Sequence, residues 1–315
     1  MIGCVAEEKT MKLDFAKLNG LGNDFIFIDD RACALNLSVE QVKSLCDRHF
    51  GIGADGVILV RPAKNEGSVA YMHYINSDGT LAEMCGNGVR CFAKYVIDRH
   101  FPGIADDKLV VDTMAGPKPI TFKLDEVGKM KTATVDMGEP ILDAHLIPVT
   151  ATIDAKTTDG KDYVSKLGIP SPWGVFNFTC VSMGNPHAIC FINDWGELPD
   201  ALFANDEKNL ANFDVAQVGS FFESHQLFPD KTNVEFATCA KDSISMRVFE
   251  RGCGETLACG TGTCACSVAA TLNGYASREN DVCLLGGTLH IKWDENNHVF
   301  MTGAAQESFI GSIAL

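Results

Sequence analysis

The stretch MCGNGVRC, residues 84–91, sets a cysteine directly before two glycines that flank an asparagine. Apolar residues then recur at helical spacing, at Val89, Phe92, Ala93, Val96 and Ile97. A second stretch, ACGTGTCAC at residues 258–266, repeats this order and continues with Ala265, Val268, Ala269 and Leu272. Both stretches therefore predict a helix that begins at a Cys-Gly-x-Gly motif and carries a thiol at its N-terminal end.

The two motifs predict a duplicated domain. Cys85 and Cys259 are separated by more than half of the chain, which is too long a period for a solenoid and fits two similar domains. The boundary is expected near residues 126–131, EVGKMK, just before a second series of predicted strands.

Short β-branched and aromatic segments outnumber helical ones along the chain. The predicted strands are 25–29, 56–60, 70–75, 109–113, 120–124, 132–137, 174–183, 233–238, 244–250 and 288–293. A further helix is predicted over residues 38–50, which begin with a capping-box pattern of Ser38 and Gln41. Few helices among many strands favour an α+β fold.

Composition excludes several classes of function. The formal net charge of −15 argues against nucleic acid as a partner, because phosphate binding needs clustered lysines and arginines. No segment approaches the roughly 18 consecutive apolar residues of a membrane span. The N-terminal residues lack the pattern of a signal peptide, and thirteen cysteines fit reduced thiols in the cytoplasm. A plastid location stays open if a transit peptide has been removed.

A cysteine at a helix N-terminus has a particular chemistry. The first backbone N–H groups of a helix lack intrahelical partners, and glycine lets another group approach them closely. The helix dipole favours a thiolate, and the same N–H groups can bind a carboxylate. Two such helix ends facing each other would offer two tuned sulfur atoms and one site for an anion.

That arrangement suits the inversion of a carbon that carries hydrogen. Such an inversion needs a base on one face of the carbon and an acid on the other, and one thiolate with one thiol supplies both. The intermediate has carbanion character beside a carboxylate, and N–H dipoles aimed at that carboxylate would stabilise the charge.

Other interpretations of these cysteines compete with this one. Cys253, Cys259, Cys264 and Cys266 cluster, but they lack paired C-x₂-C spacing, so no metal ligands are assigned. A redox dithiol lacks a C-x-x-C motif, and two buried structural thiols would be the default for either motif alone. GIGADG, residues 51–56, matches G-x-G-x-x-G but precedes a predicted strand, so it is rejected as a nucleotide site.

Six segments together resemble the diaminopimelate epimerase family. They are NGLGNDF (19–25), GIGADG (51–56), NSDGTLAEMCGNGVRC (76–91), MGNPH (183–187), TNVEF (232–236) and VFERGCGETLACGTGT (248–263). The resemblance implies an α+β fold of two pseudo-symmetric domains, each a β-sheet wrapped around a central helix, with the active site in the cleft between them. It also implies interconversion of LL- and meso-diaminopimelate without a cofactor or metal, in the biosynthesis of lysine and peptidoglycan.

The resemblance also places the domains. We expect an N-terminal domain over residues 11–130, completed by about the last 10–15 residues of the chain, and a C-terminal domain over residues 131–301. Residues 1–10 form an N-terminal extension outside the family pattern. The family pattern is compatible with a homodimer, and the sequence leaves the oligomeric state open.

The resemblance assigns roles to particular residues. Cys85 and Cys259 align with the two catalytic thiols; in the LL to meso direction, Cys259 accepts the proton and Cys85 donates one. The residues that align with substrate-binding positions are Asn23, Asn76, Gly86, Asn87, Asn185, Asn233, Glu250, Arg251, Gly260 and Thr261. His187 and Glu250 align with residues that adjust the pKa values of the thiols.

The chain departs from the family pattern at one position, and one alternative enzyme function stays open. Some relatives carry glutamine where Gly56 stands, so a side-chain contact with substrate cannot form at that position here. A racemase or epimerase of the proline or hydroxyproline type would share the two thiols, but it would not need polar residues for a distal amino-acid group.

Overall fold

The computed structural model describes residues 12–240 and 243–315, so the predicted extension over residues 1–10 lies outside the described residues. The chain divides into two compact units, one that ends at Lys131 and is completed by Ala305–Leu315, and one over Thr132–Ala304. Among the described residues, no helix combines the length and the apolar character needed to cross a membrane.

Strands dominate both units. The first nine are β1 (Lys12–Gly20), β2 (Asn23–Asp29), β3 (Gly56–Arg61), β4 (Tyr71–Asn76), β5 (Lys108–Thr113), β6 (Gly116–Leu124), β7 (Met130–Asp136), β8 (Ala155–Lys156) and β9 (Asp162–Tyr163). The others are β10 (Leu167–Ser171), β11 (Gly174–Ser182), β12 (Pro186–Phe191), β13 (Asn233–Ala240), β14 (Ser243–Glu250), β15 (Gly254–Thr256), β16 (Glu279–Leu284), β17 (Gly287–Trp293), β18 (Val299–Gly303) and β19 (Gln306–Ala314).

Four α-helices accompany these strands in the described part of the chain. They are α1 (Val39–Cys46), α2 (Gly86–Asp98), α3 (Val215–Glu223) and α4 (Gly260–Leu272). Two single-turn 3₁₀ helices lie at Trp195–Glu197 and Asp200–Leu202.

The two units share one strand topology. In the first unit, the pairs β1–β2, β3–β4 and β5–β6 are antiparallel, while β2–β3 and β4–β5 are parallel. In the second unit, β11–β12, β13–β14 and β16–β17 are antiparallel, while β12–β13 and β14–β16 are parallel. A helix joins each parallel pair, as crossover connections require. The predicted duplication is therefore confirmed at the level of strand order and direction.

Each unit keeps one helix in its interior. The α2 helix packs on β1, β2 and β19, and α4 packs on strands from β11 to β18. Both helices are buried over almost their whole circumference, which explains why their sequences are rich in small and apolar residues on every face. Their N-terminal ends, which carry the Cys-Gly-x-Gly motifs, are held in place by these contacts.

The fold class is as predicted, one predicted helix is shorter than expected, and one helix was missed. The predicted helix over residues 38–50 has the expected capping box but ends at Cys46. Asp47 stops it, because its backbone is extended and its carboxylate accepts hydrogen bonds from the amides of His49 and Phe50. The α3 helix was not predicted; its nine residues include Gly219, Phe221 and Phe222, which have low helix propensity.

Candidate active site

Cys85 caps the N-terminus of α2. Its backbone is extended, and its sulfur accepts a hydrogen bond from the amide of Gly88 at 3.4 Å. A Cβ atom at Gly88 would lie 3.1 Å from the methyl carbon of Met72 and 3.4 Å from the Cβ of Cys85. The motif glycine therefore lets the helix end pack tightly while the half-buried sulfur stays next to the first helical amides.

Asn23 lies beside this thiol. Its Oδ1 accepts a hydrogen bond from Asn87 Nδ2 at 3.2 Å and lies 3.6 Å from the sulfur of Cys85. Its Nδ2 donates to the carboxylate of Asp55 at 2.6 Å, and Asp55 is paired with Arg48 at 2.7 Å. This chain of contacts fixes the orientation of the Asn23 amide relative to Cys85.

Arg90 belongs to α2 itself, four residues after Gly86. Its side chain is fully buried, and its guanidinium donates to Asn87 Oδ1 at 2.9 Å and to the carbonyl of Gly86 at 3.3 Å. A buried arginine needs such partners, since an uncompensated charge in the interior is costly. The guanidinium therefore ties together the two residues that directly follow Cys85.

Asn76 and Gly56 lie opposite each other on β4 and β3. The Asn76 side chain donates to the hydroxyl of Thr80 at 3.0 Å. A Cβ atom at Gly56 would lie 2.5 Å from the carbonyl oxygen of Ile75 and 2.5 Å from the ring of Tyr74. Because one of these obstacles is backbone, the position accepts no side chain without a shift of the strand pair.

Gly56→Gln is therefore expected to destabilise the protein by at least about 2 kcal/mol rather than to supply a substrate contact. Urea unfolding followed by circular dichroism measures the change. Gly168→Gln is the matched control, because Gly168 also lies in a strand but is exposed, with its nearest obstacle at 3.3 Å. Equal stability of the Gly56→Gln and Gly168→Gln variants would contradict the steric argument.

Cys259 occupies the equivalent position at the N-terminus of α4. It is 5% exposed, and its sulfur lies 3.5 Å from the hydroxyl of Thr261. Burial raises the pKa of the Cys259 thiol well above its usual value, and the charges of Glu250 and Glu235 raise it further. Hydrogen bonds from Thr261 and Gly262 oppose this rise. The burial of this thiol distinguishes it from the half-buried Cys85.

His187 and Glu235 form a buried pair in the same unit. His187 Nδ1 and Glu235 Oε1 are 2.7 Å apart, and neither side chain is exposed to solvent. The other ring nitrogen of His187, Nε2, lies 3.2 Å from Asn185 Oδ1. Asn185 therefore bonds to His187, and His187 bonds to Glu235, which lies in β13 beneath α4.

Asn233, Glu250 and Arg251 lie around the end of β14. The buried Asn233 amide accepts a hydrogen bond from the backbone N–H of Arg251 at 2.9 Å and donates to the carbonyl of Pro186 at 2.8 Å. Glu250 accepts a hydrogen bond from the hydroxyl of Thr256. The exposed Arg251 guanidinium donates to the carbonyl of Asp230 at 3.1 Å.

Each unit thus gathers its own share of the predicted site residues. The first unit contains Cys85, Gly86, Asn87, Asn23 and Asn76, and the second unit contains the rest. A model of the family described as diaminopimelate epimerase matches residues 15–142 and 179–307. The chain belongs to the diaminopimelate epimerase family.

Curated members of the diaminopimelate epimerase family resemble the chain over almost its whole length. The diaminopimelate epimerase of Leptospira biflexa is 42% identical over 306 residues, which cover 97% of this chain and 100% of that protein. The diaminopimelate epimerase of Synechococcus elongatus is 43% identical over 308 residues, which cover 97% of this chain and 99% of that protein.

Solved structures at much lower identity share the fold. A hydroxyproline epimerase from Agrobacterium vitis has a TM-score of 0.67 at 13% identity and covers 98% of this chain and 93% of its own. A protein of the phenazine biosynthesis PhzF family from Bacillus anthracis has a TM-score of 0.63 at 14% identity and covers 97% of this chain and 100% of its own. These likenesses support the two-unit α+β architecture of the diaminopimelate epimerase family.

Sequence reasoning missed three charged residues, each of which contacts candidate site residues within its own unit. Asp55 orients Asn23, Arg90 supports the first turn of α2, and Glu235 pairs with His187. All three lie inside motifs that the sequence had singled out. The signal for Glu235 was a charged residue between the apolar Val234 and Phe236 in a predicted strand.

Proposed function

We propose that this chain interconverts LL- and meso-diaminopimelate by a two-base mechanism in which Cys85 and Cys259 act on opposite faces of one α-carbon. The observation that carries the proposal is the repeated placement of a thiol at the N-terminus of a buried helix, once in each unit. A family model over most of the chain and relatives at 42–43% identity support the substrate.

The first turns of the two helices suit the carboxylate next to the reacting carbon. Gly86 with Asn87, and Gly260 with Thr261, supply backbone N–H groups at helix N-termini, where anions bind favourably. Proton removal from the α-carbon places negative charge beside that carboxylate. Donors that are already aimed there stabilise the charge without reorganisation.

The polar side chains around the thiols suit the distal end of the substrate, which carries one carboxylate and one ammonium group. Amides can serve both groups, and a guanidinium can bind the carboxylate with two parallel hydrogen bonds. We assign this recognition to Asn23, Asn76, Asn185 and Arg251. Asn233 contributes by holding the backbone of Arg251.

The remaining assignments concern the thiols. His187 and Glu250 adjust the proton affinity of Cys259, since Glu250 is one of the charges that raise the pKa of this thiol. In the LL to meso direction, Cys259 accepts the α-proton as its thiolate and Cys85 delivers a proton to the other face. The roles exchange in the reverse direction.

Two alternative functions are less well supported than diaminopimelate epimerisation. A proline-type racemase is supported only by the fold shared with a hydroxyproline epimerase, whose sequence is 13% identical to this chain. The diaminopimelate epimerase of Leptospira biflexa is 42% identical. A thiol metal site would need at least three ligands together, and the described residues contain no such group of His, Cys, Asp and Glu.

The cytoplasmic or plastid location and the homodimer stay predictions.

Incubation with LL-diaminopimelate in deuterated water tests the proposed reaction. We expect the meso product to carry one deuterium at the inverted α-carbon, because the proton removed on one face is replaced from solvent on the other. Mass spectrometry and proton NMR of the product measure this. Epimerised product without solvent deuterium, or no reaction with this substrate, would contradict the proposal.

A further inference from the structure

The two-base scheme assigns no role to Glu235, although its carboxylate is fully buried next to His187. Its Oε1 contacts His187 Nδ1, while its Oε2 has no hydrogen-bond partner among the described residues. A fully buried, half-satisfied carboxylate is costly, since desolvation penalises the charged form. Packing alone therefore does not account for it.

The duplicated fold shows what packing alone requires at this position. Glu235 is opposite Ile189 in the β12–β13 pair, and Ile58 is opposite Phe27 in the equivalent β2–β3 pair. A Cβ atom at Gly88 would lie 3.5 Å from Ile58 Cδ1, and a Cβ atom at Gly262 would lie 2.6 Å from Glu235 Oε1. An apolar side chain thus fills the place beneath α2, and a carboxylate fills the same place beneath α4.

The carboxylate lies close to Cys259. The position that a Cβ atom of Gly262 would take is 2.6 Å from Glu235 Oε1 and 3.3 Å from the sulfur of Cys259. The oxygen and the sulfur are therefore no more than about 6 Å apart, a range over which like charges strongly disfavour each other. Negative charge at Glu235 disfavours a thiolate at Cys259.

Each ring nitrogen of His187 has a polar partner. Nδ1 faces Glu235 Oε1 at 2.7 Å, and Nε2 faces Asn185 Oδ1 at 3.2 Å, so a ring with a proton on both nitrogens would donate to both oxygen atoms. Such an imidazolium, together with the N-terminal end of α4, would compensate a negative charge on Glu235. Burial raises the pKa of Glu235, and the charge of His187 opposes that rise.

We propose that Glu235 is a positioning residue that orients His187 as an imidazolium and keeps the Cys259 thiol protonated in the free enzyme. The proposal deepens the two-base scheme and rests on it for its functional meaning. The charged groups that bear on Cys259 are Glu235 from β13 and Glu250 from β14, with His187 from β12 as the counter-ion of Glu235. A thiol that holds its proton more firmly becomes the stronger base once it is ionised.

The test follows alkylation of each cysteine by iodoacetamide against pH, with peptide mass spectrometry to separate the sites. Glu235→Gln keeps the shape and the hydrogen bond to His187 but removes the charge. We expect the midpoint for Cys259 to fall by about one pH unit, while that for Cys85 stays unchanged. Glu235→Asp, which retains the charge, is expected to stay closer to the wild type.

Glu223→Gln is the matched control, because Glu223 is another buried carboxylate of the same unit that bonds to Lys231 and to the amide of Gly252. It should leave the Cys259 midpoint in place. Superimposable Cys259 profiles for Glu235→Gln and wild type would overturn the proposal, as would an equal shift in Glu223→Gln. Alkylation needs no substrate, so this result is independent of the outcome of the deuterium experiment.

A measurement on the wild-type protein tests the proposal even if the Glu235 variants do not fold. Nitrogen-15 NMR of labelled histidines, with His187 assigned by its loss in His187→Gln, reports how many ring nitrogens carry protons. We expect both nitrogens of His187 to carry protons in the folded protein, because each faces an oxygen atom. A neutral His187 ring would overturn the proposal.

Discussion

Cys85→Ala and Cys259→Ala are each expected to lower the epimerisation rate by at least about 10³-fold, because each removes the acid or base that serves one face of the α-carbon. The measurement is conversion of LL- to meso-diaminopimelate by chiral chromatography. The two losses should not add in the double variant, since the thiols act as one unit.

Deuterium exchange distinguishes the roles of the two thiols more clearly than the epimerisation rate does. In Cys85→Ala, the remaining Cys259 can still remove the α-proton of the LL isomer and return a deuteron to the same face. We therefore expect slow deuterium exchange into LL-diaminopimelate without inversion. Cys259→Ala should instead exchange deuterium into the meso isomer only.

Cys91→Ala is the control for these variants. Cys91 is a fully buried cysteine in the middle of α2, so its removal tests for a general cost of losing a thiol from this helix. Its turnover should stay near that of the wild type. Epimerisation at wild-type rates in Cys85→Ala or Cys259→Ala would refute the two-base mechanism.

Arg90→Met is expected to lower the free energy of unfolding by about 3 kcal/mol. Methionine fills part of the space but cannot donate the hydrogen bonds that the guanidinium gives to Asn87 Oδ1 and to the carbonyl of Gly86. Hydrogen bonds from a charged donor contribute more than neutral ones, and these two are lost in the protein interior. Urea unfolding followed by circular dichroism measures the loss.

Arg31→Met provides the comparison for Arg90→Met. The Arg31 side chain is 54% exposed and pairs with Asp29 at 2.6 Å, and exposed pairs of this kind contribute little. Its removal should cost less than about 1 kcal/mol. A loss at Arg90 as small as the loss at Arg31 would show that the buried guanidinium does not support the first turn of α2.

The sequence predicted those parts of the fold that local patterns encode. The helical spacing after Cys85 and after Cys259 identified α2 and α4, and the β-branched segments identified most of the longer strands. Local patterns failed where residue types disfavour the element: α3 contains a glycine and two phenylalanines within nine residues, and β19 carries mainly exposed residues.

The candidate site was predictable only in part, for a related reason. The thiols and the glycines beside them follow from the requirements of a helix N-terminus, which are local. The partners of these groups come from distant positions: Glu235 reaches His187 from another strand, and Asp55 reaches Asn23 from the loop before β3. No spacing rule in the sequence connects such pairs.

By itself, the sequence determined the duplicated α+β fold, the two thiols at helix ends and the membership of an epimerase family, because these depend on residue types at short, regular spacing. Only the tertiary structure decided which charge lies near each motif: the Arg90 guanidinium bonds to Asn87 and Gly86 within α2, and the Glu235 carboxylate lies beneath α4. Glu235 belongs to β13, so its proximity to Cys259 depends on how strand and helix pack, which local patterns do not encode. The two thiols therefore share a motif but differ in their electrostatic environment.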